Sequence, residues 1–423
     1  MSSNRFTSDQ IHILGTLALV NAVNFIDRQI IGALVPLIQT DFLLSHFQVS
    51  LLGTVFSLVH ALFTLPFGIL ADRTSRKRVI GFGILFWSAA TFFSGLATSF
   101  RTLLGARALV GVGEAAFTPA AAAIITGSFP VALRARVQGV FDAGMFIGGC
   151  VGLGLGSVLA VWMGWRPALF IVALPGLLLA WRIARLREPR VERARPVPIL
   201  QLLRIRAYVA VLVSGWFITF AAYGFIFWGT TFVHRVKGFE LDEAGVILGA
   251  NLLVAGVLGI VVGASLADRM MQRVEWGRIF IIALGLLLGV PFLFISFHIS
   301  NKALFLVFFF IAGFFMSWYH GPLTAVLHDL TPKRAHATAV ALYNAFVHLF
   351  AVTWAPPVVG RVADRWGLLN GMHVALAAHL IGALCFFACI RFVRGSGRKH
   401  EQPQSSTNLD EEDDLESQLL PST

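Results

Sequence analysis

The sequence predicts an all-α membrane protein with twelve spans arranged as two six-helix halves. Three observations lead there. The 423-residue chain is 57% hydrophobic and only 13% charged, where a soluble domain carries roughly 25% charged residues. Its apolar residues fall into twelve runs, each near or above the roughly 20 residues that a spanning helix needs. A basic, proline-containing stretch then divides those runs six and six.

In chain order the first set covers about 11–38, 47–71, 79–98, 101–126, 136–162 and 165–185. The second covers about 207–233, 243–267, 278–299, 302–328, 336–362 and 371–394. The expected organisation is residues 1–185 as an N-terminal bundle, 186–206 as a linker, 207–396 as a C-terminal bundle and 397–423 as a disordered acidic tail. The tail holds Asp410-Glu411-Glu412-Asp413-Asp414 and ends near Glu416 and Leu419-Leu420, in the form of an acidic dileucine sorting signal. The first run is too long for the apolar core of a signal peptide and lacks a small-residue cleavage site, so it reads as an uncleaved span.

The formal charge of +11 does not imply nucleic acid, because most of the 33 Lys and Arg residues sit in short clusters between apolar runs. Their asymmetry places both termini in the cytoplasm. Three cysteines, Cys150, Cys385 and Cys389, lie inside apolar runs and form no metal or disulfide framework. The loops are too short for a separate catalytic domain and hold no nucleophile–base set, so no enzyme activity and no cofactor are expected.

Charges inside the spans carry the functional reading, since they are costly there and often mark ion or substrate paths. Asp27 and Arg28 sit together within the first run. Arg107 and Glu114 are seven residues apart on the fourth, which puts them on nearly the same helix face. A static set of internal ion pairs is the alternative. His320 and His348 in the second half can titrate near neutral pH, although lone span histidines are often packed hydrogen-bonding residues. Aromatics are dense around Tyr223 and Trp318, where they suit either lipid contact or an apolar cavity wall. Asp142, on the fifth run, stands between a gate residue and a cavity residue.

An internal repeat follows the second run of each half. Gly68-Ile-Leu-Ala-Asp72-Arg73-Thr-Ser-Arg76-Lys77-Arg78 is matched by Gly263-Ala-Ser-Leu-Ala-Asp268-Arg269, whose later basic cluster is largely lost. These charges sit where helix ends meet the cytoplasm and read as gate residues, or else as charges that only set topology.

The motif Gly68-x-x-x-Asp72-Arg73-x-x-Arg76-Lys77 resembles the signature of the major facilitator superfamily, with Ser75 where that family usually has Gly. Within it the chain is similar to the spinster group. The matching segments are Asn24-x-x-Asp27-Arg28, Gly83-Ile-Leu-Phe-Trp87-Ser88-Ala-Ala-Thr91-Phe92 and Arg107-Ala-Leu-Val-Gly-Val-Gly-Glu114-Ala115, then Pro332-Lys-Arg334-Ala335, His348-Leu349 and Pro357-Val-Val-Gly360. Phe350 and Ala351 replace a usual Gly-Asp, and Asp142 stands where an uncharged or aromatic residue is expected.

The resemblance implies two pseudo-symmetric bundles around a central cavity lined by the first and fourth spans. Asp27, Arg107 and Glu114 are then expected to form one polar network. Asp27 or Glu114 would take a proton, and Arg107 would meet an anionic head group. Asn24, His348, His320, Trp318 and Tyr223 would line the substrate path, and Arg28 would pair internally. The gate would comprise Asp72, Arg73, Arg76, Asp268, Arg269 and Asp142.

The expected function is alternating-access, proton-coupled secondary transport of a lysophospholipid or sphingolipid by a monomer in the lipid bilayer. A proton-coupled carrier of a small organic anion is the competing reading, and a non-transporting receptor or scaffold a distant third. The bacterial inner (cell) membrane is the expected location, or an endolysosomal membrane in a eukaryote.

Overall fold

The computed structural model describes residues 6–186, 199–332 and 335–397. Most of the linker lies outside the described residues, as does the acidic tail with its dileucine. Among the described residues, twelve helices are long and apolar enough to cross a membrane. In the first half they are α1 (Ser8–Asp41), α2 (His46–Arg73), α3 (Arg76–Gly95), α4 (Phe100–Ser128), α5 (Val137–Met163, within a longer helix from Val131) and α6 (Trp165–Ala184). In the second they are α7 (Arg206–Arg235), α8 (Leu241–Met271), α9 (Gly277–His298), α10 (Lys302–Asp329), α11 (Thr338–Trp366) and α12 (Leu368–Val393). A short helix, Ile199–Leu203, precedes α7. With an even number of spans, both ends of the described chain lie on one face, here the terminal face. The α1–α2 turn lies on the opposite, far face.

Local chemistry sets the helix ends. At α1 the Thr7 hydroxyl accepts from the Gln10 N–H while the Gln10 side chain accepts from the Thr7 N–H. Ser45 with Gln48 starts α2, and Ser99 with Thr102 starts α4, by the same reciprocal cap. Each cap satisfies donors that a helix start otherwise leaves open. Gly164 and Gly367 have φ of 86° and 85°. They reverse the chain between α5 and α6 and between α11 and α12, a repeat of backbone geometry at matching points of the two halves. A side chain is strained at such φ values, which is why glycine stands at both.

The helices are interrupted near the midplane. α4 breaks around Ala116, just after Glu114 and ahead of Pro119. α10 tightens into a 3₁₀ turn at Ser317–Tyr319 ahead of Pro322. Proline supplies no N–H to the helix ladder, so both breaks fall where the sequence weakens it. α8 and α11 each carry a π turn, at Asn251–Ala255 and His348–Val352, a feature that often marks functional positions.

Glycines on α5 let it lie close against two neighbours. A Cβ at Gly152 would fall 2.8 Å from Ile26 O on α1, and one at Gly249 of α8 would fall 2.6 Å from Cys150 O. Gly144 and Gly148 likewise face Ala18–Phe25 of α1. Helices in lipid gain little from the hydrophobic effect against one another and depend on such close approach. It fixes α1, and with it Asp27 and Arg28, against α5.

The two halves meet along α1–α7, α2–α11 and α5–α8. At the far face the contacts are polar and specific. The Asp364 carboxylate on α11 accepts from the backbone N–H of His46 (2.7 Å) and Phe47 (2.9 Å) and meets His46 Nδ1 at 2.9 Å. It thereby caps the N-terminus of α2 from the other half, where a negative charge is favoured. Arg235 at the end of α7 donates to Gln39 Oε1 of α1 at 2.8 Å. Toward the terminal face His320 and Asp142 are exposed, and Phe146 meets His320 across the halves with ring centroids 5.7 Å apart. The interface is latched at the far face, and the central cavity opens toward the terminal face.

Two outcomes follow. Gly152→Val should lower the thermal stability of detergent-purified protein by roughly 1–3 kcal/mol, the usual cost of overpacking. Asp364→Ala should lengthen the distance between spin labels at Leu43 and Trp366, which lie on opposite sides of the far-face latch. An unchanged distance distribution would remove the latch from the account.

Candidate functional site

The closed end of the cavity is built on α1, α2 and α4 from one half and α7 and α11 from the other. Asp27 and Glu114 are 2% and 0% exposed. Each carboxylate is answered by a guanidinium, as burial demands. Arg107 Nη1 lies 3.3 Å from Asp27 Oδ1, and Thr91 donates its hydroxyl to Asp27 Oδ2. Arg28 Nε lies 2.6 Å from Glu114 Oε2, while Arg28 Nη2 lies 2.8 Å from His60 Nε2. The Phe56 ring lies between the pairs, its centroid 5.6 Å from the Arg28 guanidinium carbon and 5.0 Å from that of Arg107. Such a face is attractive to both cations.

The pairs differ in what remains unsatisfied. Both oxygens of Asp27 are engaged. Glu114 Oε1 has no hydrogen-bond partner among the described residues, and neither does Arg107 Nε. Arg28 keeps part of its side chain, 12%, open to the cavity. The cavity's enclosed end holds about 60 Å³, room for a few waters at ~10–15 Å³ each. Its polar wall is Arg28, Gln29, Ser57, His60, Arg107, Tyr223 and His348. Its apolar wall is Ile31, Phe56, Ile226, Phe227, Val352 and Pro356. The two histidines come from different halves, with ring centroids 6.2 Å apart, and Tyr223 stands 6.3 Å from His348. His348 is placed by the π turn and holds Asn344 O through Nδ1 at 2.8 Å.

Asp27, Arg107 and Glu114 are therefore brought together, through two ion pairs of which Arg28 is the fourth member. Arg107 is the inner cation, 1% exposed and committed to Asp27. Arg28, expected only to pair internally, is the guanidinium that also borders the open cavity. Trp318, expected on the substrate path, is instead packed between Phe314, Phe315, Gly263 and Gly285 within the second half. It fills the gap that those two glycines leave. Asn24 is buried beside the network but does not line the cavity. His320 is exposed and stacks on Tyr319 with ring centroids 4.1 Å apart, nearer the terminal face than the ion pairs.

The expected gate residues divide. Asp72 meets Arg76 at 3.6 Å across the α2–α3 turn, and Arg73 is exposed. In the second copy Asp268 pairs with Arg278 at 3.0 Å rather than with its neighbour Arg269, which is exposed. Arg278 also reaches Asp329 at 2.6 Å and so ties α8, α9 and α10 together. The basic cluster missing after Asp268 is thus replaced by one arginine ten residues on. Asp142 is exposed, accepts from Gln138 one turn earlier at 2.9 Å and does not line the ion-paired end of the cavity. Sequence reasoning also passed over His60, the one titratable residue in the run 47–71, and the far-face residues His46, Asp364 and Arg235.

Two bundles closed at one face around buried, paired charges define a transporter of the twelve-helix, two-bundle class. A profile described as Major Facilitator Superfamily matches residues 17–356, and the chain belongs to that family. Among its relatives are an MFS-type efflux pump of Mycolicibacterium smegmatis, 27% identical over 88% of this chain and 91% of that one, and a sphingosine-1-phosphate transporter of Xenopus tropicalis, 26% identical over 83% and 73%. A probable galactarate/D-glucarate transporter of Bacillus subtilis is 24% identical over 89% and 91%. Among solved structures, a bacterial homolog of the human lysosomal transporter spinster, inward-facing and occupied, superposes with a TM-score of 0.82 at 25% identity, covering 92% of this chain and 98% of that one. The spinster-type motifs of the sequence agree with the likeness to the sphingosine-1-phosphate transporter and to the solved spinster homolog.

Removing one partner of a buried pair leaves the other charge uncompensated, which typically costs about 3–5 kcal/mol. Glu114→Ala and Arg28→Met should each destabilise the detergent-solubilised protein on that scale. The double variant should be markedly less destabilised than the sum of the two, as read by a double-mutant cycle of thermal unfolding. Additive losses would mean that the two side chains do not stabilise each other.

Proposed function

We propose that this protein is a proton-coupled secondary transporter working by alternating access, and that its substrate is an amphipathic lipid with one anionic head group, a lysophospholipid or a sphingolipid phosphate. The observation that carries this reading is the Arg28–Glu114 pair at the closed end of a cavity that is also lined by apolar side chains. An anionic head group reaching Arg28 competes with Glu114 for the guanidinium. Glu114 then loses its counter-charge in a buried site, and its unpartnered Oε1 is free to take a proton. Glu114 is thus the coupling carboxylate, while Asp27 stays held by Arg107 and Thr91 and fixes the geometry of α1 against α4. His60, on the other side of Arg28, and His348, across the interface, relay the change in charge to the second half. The lipid tail runs along Phe56, Ile226 and Phe227.

In this reading both termini are cytoplasmic, because the terminal face carries the basic loops. The state described here then opens to the cytoplasm. Reaching the opposite state requires the contacts of Asp364 and Arg235 at the far face to break. The protein acts as a monomer, since its own two halves enclose the cavity. Asp72, Arg76, Asp268 and Arg278 brace the helix ends that must move at the terminal face. One observation favours a second reading: the cavity contains two buried guanidiniums, which would also suit a small organic anion such as the sugar diacids named for one relative.

Transport into proteoliposomes separates these readings. With an imposed pH gradient, lysophospholipids and sphingosine-1-phosphate should accumulate, and galactarate should not. Glu114→Gln should lose gradient-driven accumulation by roughly tenfold or more, equivalent to about 1.4 kcal/mol, while still exchanging substrate at equilibrium. Galactarate uptake without lipid uptake would favour the second reading, and accumulation indifferent to both the gradient and Glu114→Gln would reject proton coupling.

A further inference from the structure

A second built cavity lies on the outer surface of the first half, away from the ion pairs. It is a groove of about 590 Å³ between the terminal-face ends of α3 and α6. α3 and α6 are peripheral, packing mainly on each other and on helices of their own half. Lys77, Arg78 and Trp181 lie at the groove's outer end, and Gly81, Leu85 and Leu177 continue it toward the membrane interior. Lys77 Nζ donates to Ala184 O and Leu186 O at 3.3 and 3.0 Å, so its charge is anchored on the C-terminal end of α6. The Arg185 guanidinium lies 3.7 Å from the centre of the Trp181 ring, which holds it beside the same opening. Arg78 is exposed. The nearby acid, Asp72, is engaged by Arg76.

Charge and depth are ordered here. Arg78 lies in the first turn of α3, and Leu85 lies roughly 10 Å deeper at 1.5 Å per residue. Leu85 and Leu177 are exposed, at 46% and 61%, beneath a cluster of three cations. A soluble anion would use only the charged end. A membrane phospholipid uses both, with its phosphate among the cations and an acyl chain along the apolar floor. Basic pockets between spanning helices at the cytoplasmic leaflet suit anionic lipid head groups.

We propose that the α3–α6 groove is a binding site for an anionic phospholipid of the surrounding bilayer, distinct from the transport cavity. Its head group is held by Arg78, Arg185 and Lys77, and Trp181 positions Arg185.

Native mass spectrometry of the detergent-purified full chain tests this with phosphatidylglycerol and phosphatidylcholine of matched acyl chains. The wild-type protein should retain phosphatidylglycerol preferentially, and Arg273→Gln, which removes an exposed cation from the same face of the second half, should retain it equally. The double variant Arg78→Gln/Arg185→Gln should weaken that binding roughly 25-fold, since each basic residue near an anionic head group contributes about fivefold. Leu85→Trp keeps every charge but fills the groove, and should also lose the lipid. Millimolar inorganic phosphate should not displace it. Equal retention of phosphatidylcholine, undiminished binding in either groove variant, loss in Arg273→Gln or displacement by phosphate would each overturn the proposal.

Discussion

A buried carboxylate needs a counter-charge, and the whole interior of this protein is arranged around that requirement. Asp27 and Glu114 sit where water does not reach, and each is held by a guanidinium from the facing helix. Most of such a pair's attraction only repays the desolvation of the two ions. The pairs therefore add little net stability, but breaking one without replacing it is costly. That asymmetry suits a switch. A substrate anion or a carboxylate can satisfy an arginine, a proton can satisfy a carboxylate that has lost its arginine, and only states that satisfy all the charges are accessible.

The fold supplies the conditions under which this works. Glycines on α5 bring α1 close enough that its position, and so the position of Asp27 and Arg28, is fixed to within ångströms. The break in α4 after Glu114 and the π turn at His348 release backbone order where a side chain must face the cavity. The far-face cap of α2 by Asp364 closes one end of the interface with groups that water can satisfy once they separate. The polar ties at the far face are thus exchangeable, while the apolar and glycine-mediated contacts within each half are not. The proposed rocking of rigid halves about a charged centre draws on that division.

Much of this was legible in the sequence, for identifiable reasons. Span positions follow from hydropathy, because the bilayer imposes a length on every helix; α6, expected at 165–185, spans Trp165–Ala184. Arg107 and Glu114 could be placed on one face because seven residues make two turns. Which cation answers which carboxylate could not be read. Asp27 is adjacent to Arg28 in sequence, but neighbouring residues on a helix point in different directions, so Asp27 pairs with α4's Arg107 and Arg28 with α4's Glu114. Trp318 looked like a cavity aromatic by composition, yet the glycines on α8 and α9 that receive it lie 55 and 33 residues away in sequence. Arg278 replaces Arg269 as the partner of Asp268 for a similar reason, since the α8–α9 turn, not sequence adjacency, brings it there.

In the proposed mechanism a proton changes place when a substrate anion takes Arg28 from Glu114. The most direct measurement is proton exchange on substrate binding, read in weakly buffered detergent solution with sphingosine-1-phosphate or a lysophospholipid. The wild-type protein should take up close to one proton per bound anion, and Glu114→Gln should bind the same ligand with none. Binding without proton uptake in the wild type, or undiminished uptake in Glu114→Gln, would contradict it.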